Sequence, residues 1–276
     1  MKRLVVLCLL GMTFNFGFSQ GHRFIYELHF KSDSTKNKFD SIKVILDVGK
    51  ENTKFYDMEF LRIDSIRKNT LENWTMNSPS QQLTKRKKGS SINQNYRDNL
   101  FDYFLIESKD EMKWKIFPEI KKAGEYNLQK ATTDFGGRHW IAWFCTEIPI
   151  NEGPYKFQGL PGLIFEISDF GNNYSYKLIG NIKLETDFDT TDFLETHYGE
   201  KPVKITNKKF NEIKLNYFSD PYSWARTAEE WSVNFGDGKV YHTKEDIPYL
   251  TKRTQEELRR NNNPIELDTA LPYPLK

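Results

Sequence analysis

Alternation of large apolar and polar side chains is the feature that most constrains how this chain folds. In residues 22–30, every second position is large and apolar: Phe24, Tyr26, Leu28 and Phe30. Successive side chains of a strand point to opposite faces of a sheet, so this period of two predicts a strand with one buried face. Aromatic residues make up 15% of the chain, which favours a sheet-rich fold with an aromatic core.

Glycine and asparagine turns between such segments predict hairpins. Residues 126–135 and 138–146 flank Gly136 and Gly137, and glycine adopts the positive φ that a tight hairpin turn requires. Turn residues also predict hairpins that join 163–169 to 174–184 and 101–107 to 112–117. This succession predicts a mainly β (α+β) fold, an antiparallel meander bent into a partly open barrel or sandwich.

Three segments predict short helices in addition to the sheet. Residues 58–67 have apolar side chains at helical spacing, and residues 207–217 follow Thr206, a suitable N-cap. The run from Thr254 to Glu257 has the pattern of a capping box, which predicts that a third helix starts there.

The first residues have the composition of a secretory signal. Lys2 and Arg3 precede an apolar run, and the small residues Gly17 and Ser19 suit a cleavage site. We therefore predict a signal peptide over residues 1–19 and a single β-rich domain over the remaining residues, 20–276. The mature protein is expected in the periplasm, with release or attachment to the cell envelope as alternatives.

The charge and the cysteine content of the mature chain limit which partners and which covalent cross-links it can have. Removal of Lys2 and Arg3 lowers the 40 basic residues by two, to equal the 38 acidic ones, so nothing electrostatic favours nucleic acid as a partner. Cys145 is then the single cysteine, which excludes an internal disulfide, and we expect it to be buried and unreactive. No second apolar run is long enough for a transmembrane segment in the mature chain.

Residues 68–99 are poor in apolar side chains and include a basic cluster at 85–88. This composition predicts a long mobile loop. The cluster is interpreted as solvated, because no aromatic residues alternate with it as they do in surfaces that stack on bases.

One glycine-rich run is the clearest landmark: Gly159, Leu160, Pro161, Gly162, Leu163 and Ile164. Proline followed by glycine predicts a type II turn with positive φ at Gly162. Gly159, which has no side chain, leaves space for another backbone. The run lacks the phosphate-loop pattern and precedes a strand, so it is interpreted as a structural turn.

The residues around that run carry a family resemblance. The chain resembles the GLPGLI family in three blocks: "YNLQKATTDFGGRHWIAWFCTEIPI" at 126–150, "GPYKFQGLPGLIFEISD" at 153–169 and "NNNPIEL" at 261–267. The resemblance implies an exported bacterial protein of unassigned biochemical role. It carries over no catalytic residue.

No residue pattern indicates catalysis, a metal or a cofactor. The histidines lack zinc-site spacing, and neither a nucleophile elbow nor an S-x-x-K motif is present. Arg138 and Trp140 share one strand face and are candidate ligand-binding residues, since a guanidinium and an indole can capture a carboxylate or a cation. Glu166, which lies on a predicted strand between apolar neighbours, is the third candidate ligand-binding residue. The alternative for Arg138 and Trp140 is a structural role in packing. The alternative for Glu166 is a carboxylate that is ion-paired or lies at the rim of the sheet.

Three functional hypotheses follow. The first is an exported, non-catalytic binding or envelope-assembly protein that holds an apolar ligand, a peptide or an outer-membrane protein partner on a curved aromatic-rich sheet. The second is a periplasmic hydrolase that uses scattered carboxylates near Glu152 and Glu166. The third is a purely structural envelope component. A lined cavity favours the first, converging carboxylates the second, and a filled core the third.

Overall fold

A computed structural model describes residues 21–100 and 102–274, so the predicted signal peptide at 1–19 lies outside the described residues. The strands are β1 Gly21–Phe30, β2 Asp40–Val48, β3 Asn52–Asp57, β4 Leu83–Lys87, β5 Ile92–Asn99, β6 Asp102–Lys109, β7 Lys115–Ala123, β8 Tyr126–Phe135, β9 Arg138–Cys145, β10 Leu163–Asp169, β11 Tyr174–Leu184 and β12 Val203–Lys204. The α-helices are α1 Glu59–Asn69, α2 Asn207–Ser219 and α3 Ile247–Arg260.

These strands form one large sheet from two meanders. The order across the sheet is β12-β6-β5-β4-β3-β2-β1-β11-β10-β9-β8-β7. Strands β1 to β6 and β7 to β11 each pair with their neighbours in sequence, and the antiparallel pair β1–β11 joins the two meanders. Only the short pairing of β12 with β6 is parallel among the described strands. The mainly β prediction, with an open antiparallel sheet and a few short helices, is therefore confirmed.

The sheet bends strongly on itself. Strands β6 and β7 are ten positions apart in the order, which would separate them by about 48 Å in a flat sheet at about 4.8 Å per strand. Yet only residues 110–114 connect them, and a chain of that length spans at most about 22 Å. The two ends of the sheet are thus brought towards each other around a common interior.

The predicted hairpin between 101–107 and 112–117 is wrong. Strand β6 pairs with β5, whereas β7 pairs with β8 on the far side of the sheet order. Ser108 and Lys109 end β6, and residues 110–114 cross between the two ends of the sheet. The hairpin prediction fails because β5, the antiparallel partner of β6, lacks the apolar alternation that indicates a strand.

The prediction of a loop over residues 68–99 is also wrong in part, since that segment contains β4 and β5. Several side chains that these strands bury are polar: Arg86, Asn93 and Asn95 are at most 3% exposed. They bind one another and other polar groups, so the apolar alternation that reveals a strand is absent.

The helices follow the predictions except for the start of α3. Helix α2 begins as predicted, and Thr206 Oγ1 accepts a hydrogen bond from the Lys209 amide at 3.2 Å. The capping box is formed by Thr243 and Asp246 around the 3₁₀ turn Lys244–Asp246, and helix α3 begins directly after it at Ile247. Thr254 is instead buried inside that helix, with its hydroxyl 2.9 Å from the Tyr222 hydroxyl.

The main core lies on the concave side of the sheet. Phe24, Tyr26, Leu28 and Phe30 are buried there, as the alternation of β1 predicted. Cys145 is buried with them and free, as expected. Within residues 21–100 and 102–274, no helix combines the length and the apolarity that a membrane crossing needs.

Candidate functional site

The segment between β9 and β10 folds into the concave interior, and we call residues 151–159 the interior loop. The Gly159 amide donates to the Asn151 carbonyl at 2.9 Å and closes the base of the loop. Tyr155 and Phe157 at its tip are at most 1% exposed. The Phe157 ring lies 4.7 Å from the Trp140 ring, centre to centre. The loop therefore fills the middle of the space that the sheet encloses.

Two glycines of the GLPGLI run have the opposite roles to those predicted. Gly159 has a φ of +96°, whereas Gly162 has no positive φ, so the predicted type II turn is wrong. A Cβ added to Gly162 would lie 2.0 Å from the Cys145 carbonyl oxygen. Gly162 is thus the point of close backbone approach. Of the remaining residues of the run, Pro161 is exposed and three are buried: Leu160, Leu163 and Ile164.

A buried ionic cluster surrounds the tip of the interior loop. Lys156, which is 2% exposed, places its ammonium 2.6 Å from Glu266 Oε1 and 3.3 Å from Asp110 Oδ2. The Tyr155 hydroxyl donates to Glu266 and accepts from Arg97 Nη2 at 3.2 Å. Two carboxylates and an ammonium are thereby held together in a largely buried setting, which strengthens each interaction.

Polar contacts continue from this cluster across the interior. Asp110 Oδ2 accepts from Asn93 Nδ2 at 2.9 Å, and Asn93 Oδ1 accepts from Arg86 Nη1 at 3.0 Å. Arg86 in turn pairs with Glu152, whose Oε1 accepts from Thr53 Oγ1 at 3.2 Å. Burial raises the pKa of Glu152 and lowers that of Arg86. We call this connected set of side chains the interior polar chain. Its members are Thr53, Glu152, Arg86, Asn93, Asp110, Lys156, Glu266, Tyr155 and Arg97.

Tyr155, which joins Glu266 to Arg97 in the interior polar chain, has an unusual backbone conformation. Its φ is +55°, a left-handed conformation that costs energy for a bulky residue and is rare outside glycine and asparagine. The side chain packs against Phe55, and burial strongly raises the pKa of its hydroxyl. Strain of this kind is retained where the surroundings fix the residue, often at a functional site.

A cavity lies on one side of the interior loop, and we call it the turn-side cavity. Its volume is about 800 Å³. Turns and strand ends from both meanders surround it, together with the base of the interior loop. The lining includes His22, Val48, Lys88, Ser91, Met112 and Ile150, and the polar chain reaches it through Asp110 and Glu152.

A second cavity of about 630 Å³ lies on the other side of the loop, between the sheet and helices α2 and α3. We call it the helix-side cleft. Arg97, Tyr155, Lys156 and Glu266 from the polar chain line it. The interior polar chain therefore connects two separate cavities.

Arg138, a predicted ligand-binding residue, holds the segment near the C-terminal end of the described chain. Its guanidinium donates to the Ile265 carbonyl at 2.9 Å, and to Asn263 Oδ1 and the Pro264 carbonyl, both at 2.7 Å. It also pairs with Asp169 at 3.2 Å. Four of its five N–H groups have acceptors in the protein itself.

The other two predicted residues do not join Arg138 in one site. Trp140 is completely buried, and its indole donates to the Phe135 carbonyl at 2.9 Å. Glu166 is partly exposed and pairs with Lys121 of the edge strand β7. The Lys121 ammonium also lies 4.5 Å from the centre of the Trp143 ring. The structure thus places Glu166 with a surface cation and Trp140 in the core.

Sequence reasoning missed the residues of the polar chain as a group. Lys156 and Glu266 belong to two different blocks of the family resemblance, 153–169 and 261–267, and that shared membership was the available signal. No group of three histidine, cysteine or acidic residues among those described is placed to hold a metal ion.

The fold and the interior loop define the class of this protein: a curled, open β-sheet with a loop inserted into its concave side. Residues 136–166 match the sequence profile of Porph_ging, described as a protein family of unknown function. That stretch runs from the β8–β9 turn through the interior loop into β10. This profile has a different name from the GLPGLI family, so membership of the GLPGLI family stays a prediction. No curated protein matches the chain.

Solved structures of PNGF-II in the C2 and P21 space groups are similar in fold. Each has a TM-score of 0.50 and 13% sequence identity, over 80% of this chain. The similar region is 37% of the PNGF-II chain, so the present chain corresponds to well under half of that protein. At this identity the likeness concerns the fold alone.

Proposed function

We propose that the protein is an exported, non-catalytic binding protein of the GLPGLI type, and that it holds a peptide segment in the turn-side cavity. The chain is one β-rich domain from residue 20, and it acts in the periplasm. One observation carries the proposal. The sheet curls around an interior loop, yet it leaves a cavity of about 800 Å³ beside that loop.

The chemistry of the lining suits a peptide. Val48, Met112 and Ile150 offer apolar surface for a side chain. Gly89, Ser90 and Ser91, in the turn between β4 and β5, add small residues and serine hydroxyls to the lining. Ligand sites in the mouths of curved sheets commonly combine such apolar surface with a few polar groups.

The carboxylates named for a hydrolase have separate partners. Glu152 binds Arg86 and Thr53 in the interior, whereas Glu166 pairs with Lys121 at the sheet edge. Neither faces the other as an acid–base pair would. A binding role uses the cavity without requiring such a pair.

The test uses the chain from residue 20 and a random heptapeptide library displayed on phage. Enriched peptides are synthesised with a fluorescent label and titrated by polarisation. In the variant Ser91→Trp an indole enters the cavity, and no hydrogen bond of the Ser91 side chain is lost among the described residues. Ser41→Trp is the matched control, because Ser41 is exposed on β2 away from the cavity lining.

We expect the wild type and Ser41→Trp to bind the same peptides with equal Kd. Ser91→Trp should bind at least about tenfold more weakly, which corresponds to about 1.4 kcal/mol. Absence of any enriched peptide would contradict the proposal. So would equal binding to Ser91→Trp. Native mass spectrometry of protein purified from its own envelope adds a second readout, a reproducible bound mass in the peptide range.

A further inference from the structure

The helix-side cleft contains two cations that form no ion pair with any carboxylate among the described residues. Arg97 projects from β5 and Lys214 from α2, and both line the cleft. It is separated from the turn-side cavity by the interior loop. An inference about its ligand is thus independent of the function proposed above.

Arg97 binds only uncharged oxygen atoms. Its Nη1 donates to the Tyr96 carbonyl at 2.8 Å and to the Leu83 carbonyl at 3.4 Å. Its Nη2 donates to the Tyr155 hydroxyl at 3.2 Å. The guanidinium is therefore anchored in place without an ion pair to any carboxylate among the described residues.

Lys214 is in a similar position on the opposite wall. Within residues 21–100 and 102–274 its ammonium forms no ion pair, and it lies 5.7 Å from the centre of the Phe210 ring. Burial, and then repulsion from Arg97, lower its pKa. Two cations that repel each other in a partly buried cleft form an unfavourable arrangement until an anion enters.

The carboxylates that line the same cleft are each satisfied by other donors. Glu266 accepts from Lys156 and Tyr155. Asp98 accepts from the Ser78 amide at 2.9 Å and from Gln81 Nε2 at 2.6 Å. Glu257, the third, lies 3.5 Å from Arg253 Nε. None of the three is within ion-pair distance of Arg97 or Lys214.

Helix α2 adds amide groups beside Lys214. Asn207 and Asn211 lie seven and three positions before Lys214 and line the cleft with it, because residues at these spacings share one helix face. Amide N–H groups next to two cations can donate to the remaining oxygens of a bound anion.

We propose that the helix-side cleft binds an oxyanion, the phosphate or carboxylate group of a small polar ligand, between Arg97 and Lys214. The planar guanidinium supplies paired N–H donors for two oxygens of such a group, and the ammonium supplies a point charge. The asparagine amides of α2 complete the polar surface around it.

The test is isothermal titration calorimetry with two probes, inorganic phosphate and acetate, each against chloride at equal ionic strength. The protein is the chain from residue 20 and its variants. Lys214→Met removes one cation. Arg97→Lys keeps the positive charge but removes the paired N–H donors of the guanidinium. Lys208→Met is the matched control, since Lys208 is exposed on the same helix.

Saturable binding of either probe is expected in the wild type. The affinity should fall at least about tenfold in Lys214→Met, fall also in Arg97→Lys, and stay unchanged in Lys208→Met. Binding of phosphate alone would assign a phosphorylated ligand, and binding of acetate alone a carboxylate. The proposal is overturned if neither probe binds, or if Lys208→Met weakens binding as much as Lys214→Met. Because Arg97→Lys retains size and charge, it tests the site even if Lys214→Met does not fold.

Discussion

The ammonium of Lys156 lies 2.6 Å from Glu266 Oε1, although the two residues are 110 positions apart in the sequence. Lys156 is at the tip of the interior loop, and Glu266 follows α3. Around this contact the Gly136 carbonyl accepts from the Leu267 amide at 2.6 Å. Three separate sequence blocks thus meet at one buried junction.

Replacement of Lys156 by methionine should destabilise the protein strongly. The substitution leaves Asp110 and Glu266 close together without their shared cation, and loss of one partner from a buried ion pair costs about 3–5 kcal/mol. The free energy of unfolding from urea titration measures the effect.

Lys36→Met is the matched control for that variant. Lys36 pairs with Asp33 at 3.5 Å, but its side chain is 57% exposed, and such a surface pair contributes at most about 1 kcal/mol. Equal losses in the two variants would show that burial of the Lys156 cluster adds nothing to its strength.

Gly162→Ala should be among the most destabilising single-methyl changes in the chain. The added Cβ would meet the Cys145 carbonyl oxygen at 2.0 Å, and a backbone atom in a sheet cannot move aside cheaply. We expect a loss of about 3 kcal/mol or more in the free energy of unfolding, at the upper end for overpacking.

Gly153→Ala provides the comparison. Its added Cβ would meet Ile164 Cδ1 at 2.6 Å and Ile164 Cβ at 2.9 Å, a less severe overlap than 2.0 Å with a backbone oxygen. A smaller loss is expected there in the same urea titration. If the two variants lose equal stability, close backbone approach is not the reason for a glycine at 162.

Strand positions were predictable where burial is apolar. The alternation of β1 and the glycine turn between β8 and β9 led to correct elements, because the period of two and the φ requirement are local properties. Strands β4 and β5 were missed for a physical reason. Arg86 and Asn93 are buried and bind each other, Glu152 and Asp110. The buried positions of these strands are therefore polar, and the apolar alternation is absent.

The candidate site was less predictable than the fold. Lys156 appeared as an ordinary polar residue in a loop, and its burial depends on Asp110 and Glu266, which are distant in sequence. Arg138 is predicted from the sequence as a ligand-binding residue, whereas its partners in the structure are residues 263–265, more than 120 positions away. Long-range ion pairs of this kind have no local signature.

Arg138→Lys should release the segment that Arg138 holds. A lysine ammonium cannot reproduce the fork that binds Asn263, Pro264 and Ile265, so buried acceptors lose their donors at about 1–3 kcal/mol each. We expect faster proteolytic cleavage within residues 261–274, read by mass spectrometry of the fragments.

The control for this variant is Arg62→Lys, because Arg62 forms an exposed pair with Glu59. Its cleavage pattern should match the wild type. An unchanged pattern in Arg138→Lys would mean that the other contacts of the segment, such as the bond from Tyr174 to the Asn263 carbonyl at 2.7 Å, hold it without the guanidinium.

Asp57 should make stability fall as pH rises through the mildly acidic range. It ends β3, is 2% exposed, and accepts a hydrogen bond from the Ser78 hydroxyl. Burial raises its pKa from 3.8 to about 6. The folded protein therefore keeps this proton at pH values where the unfolded chain has lost it, so the stabilising contribution is complete at low pH and is lost as pH rises through the folded pKa.

The variant Asp57→Asn isolates this contribution, since an amide stays neutral at every pH. At ~1.4 kcal/mol per pKa unit, the free energy of unfolding of the wild type should fall by about 3 kcal/mol relative to Asp57→Asn between the unfolded pKa of 3.8 and the folded pKa of about 6. Urea titrations at a series of pH values across this window measure the difference. Parallel curves for the two proteins would contradict the shift, because they would require Asp57 to bind its proton equally in the folded and unfolded states.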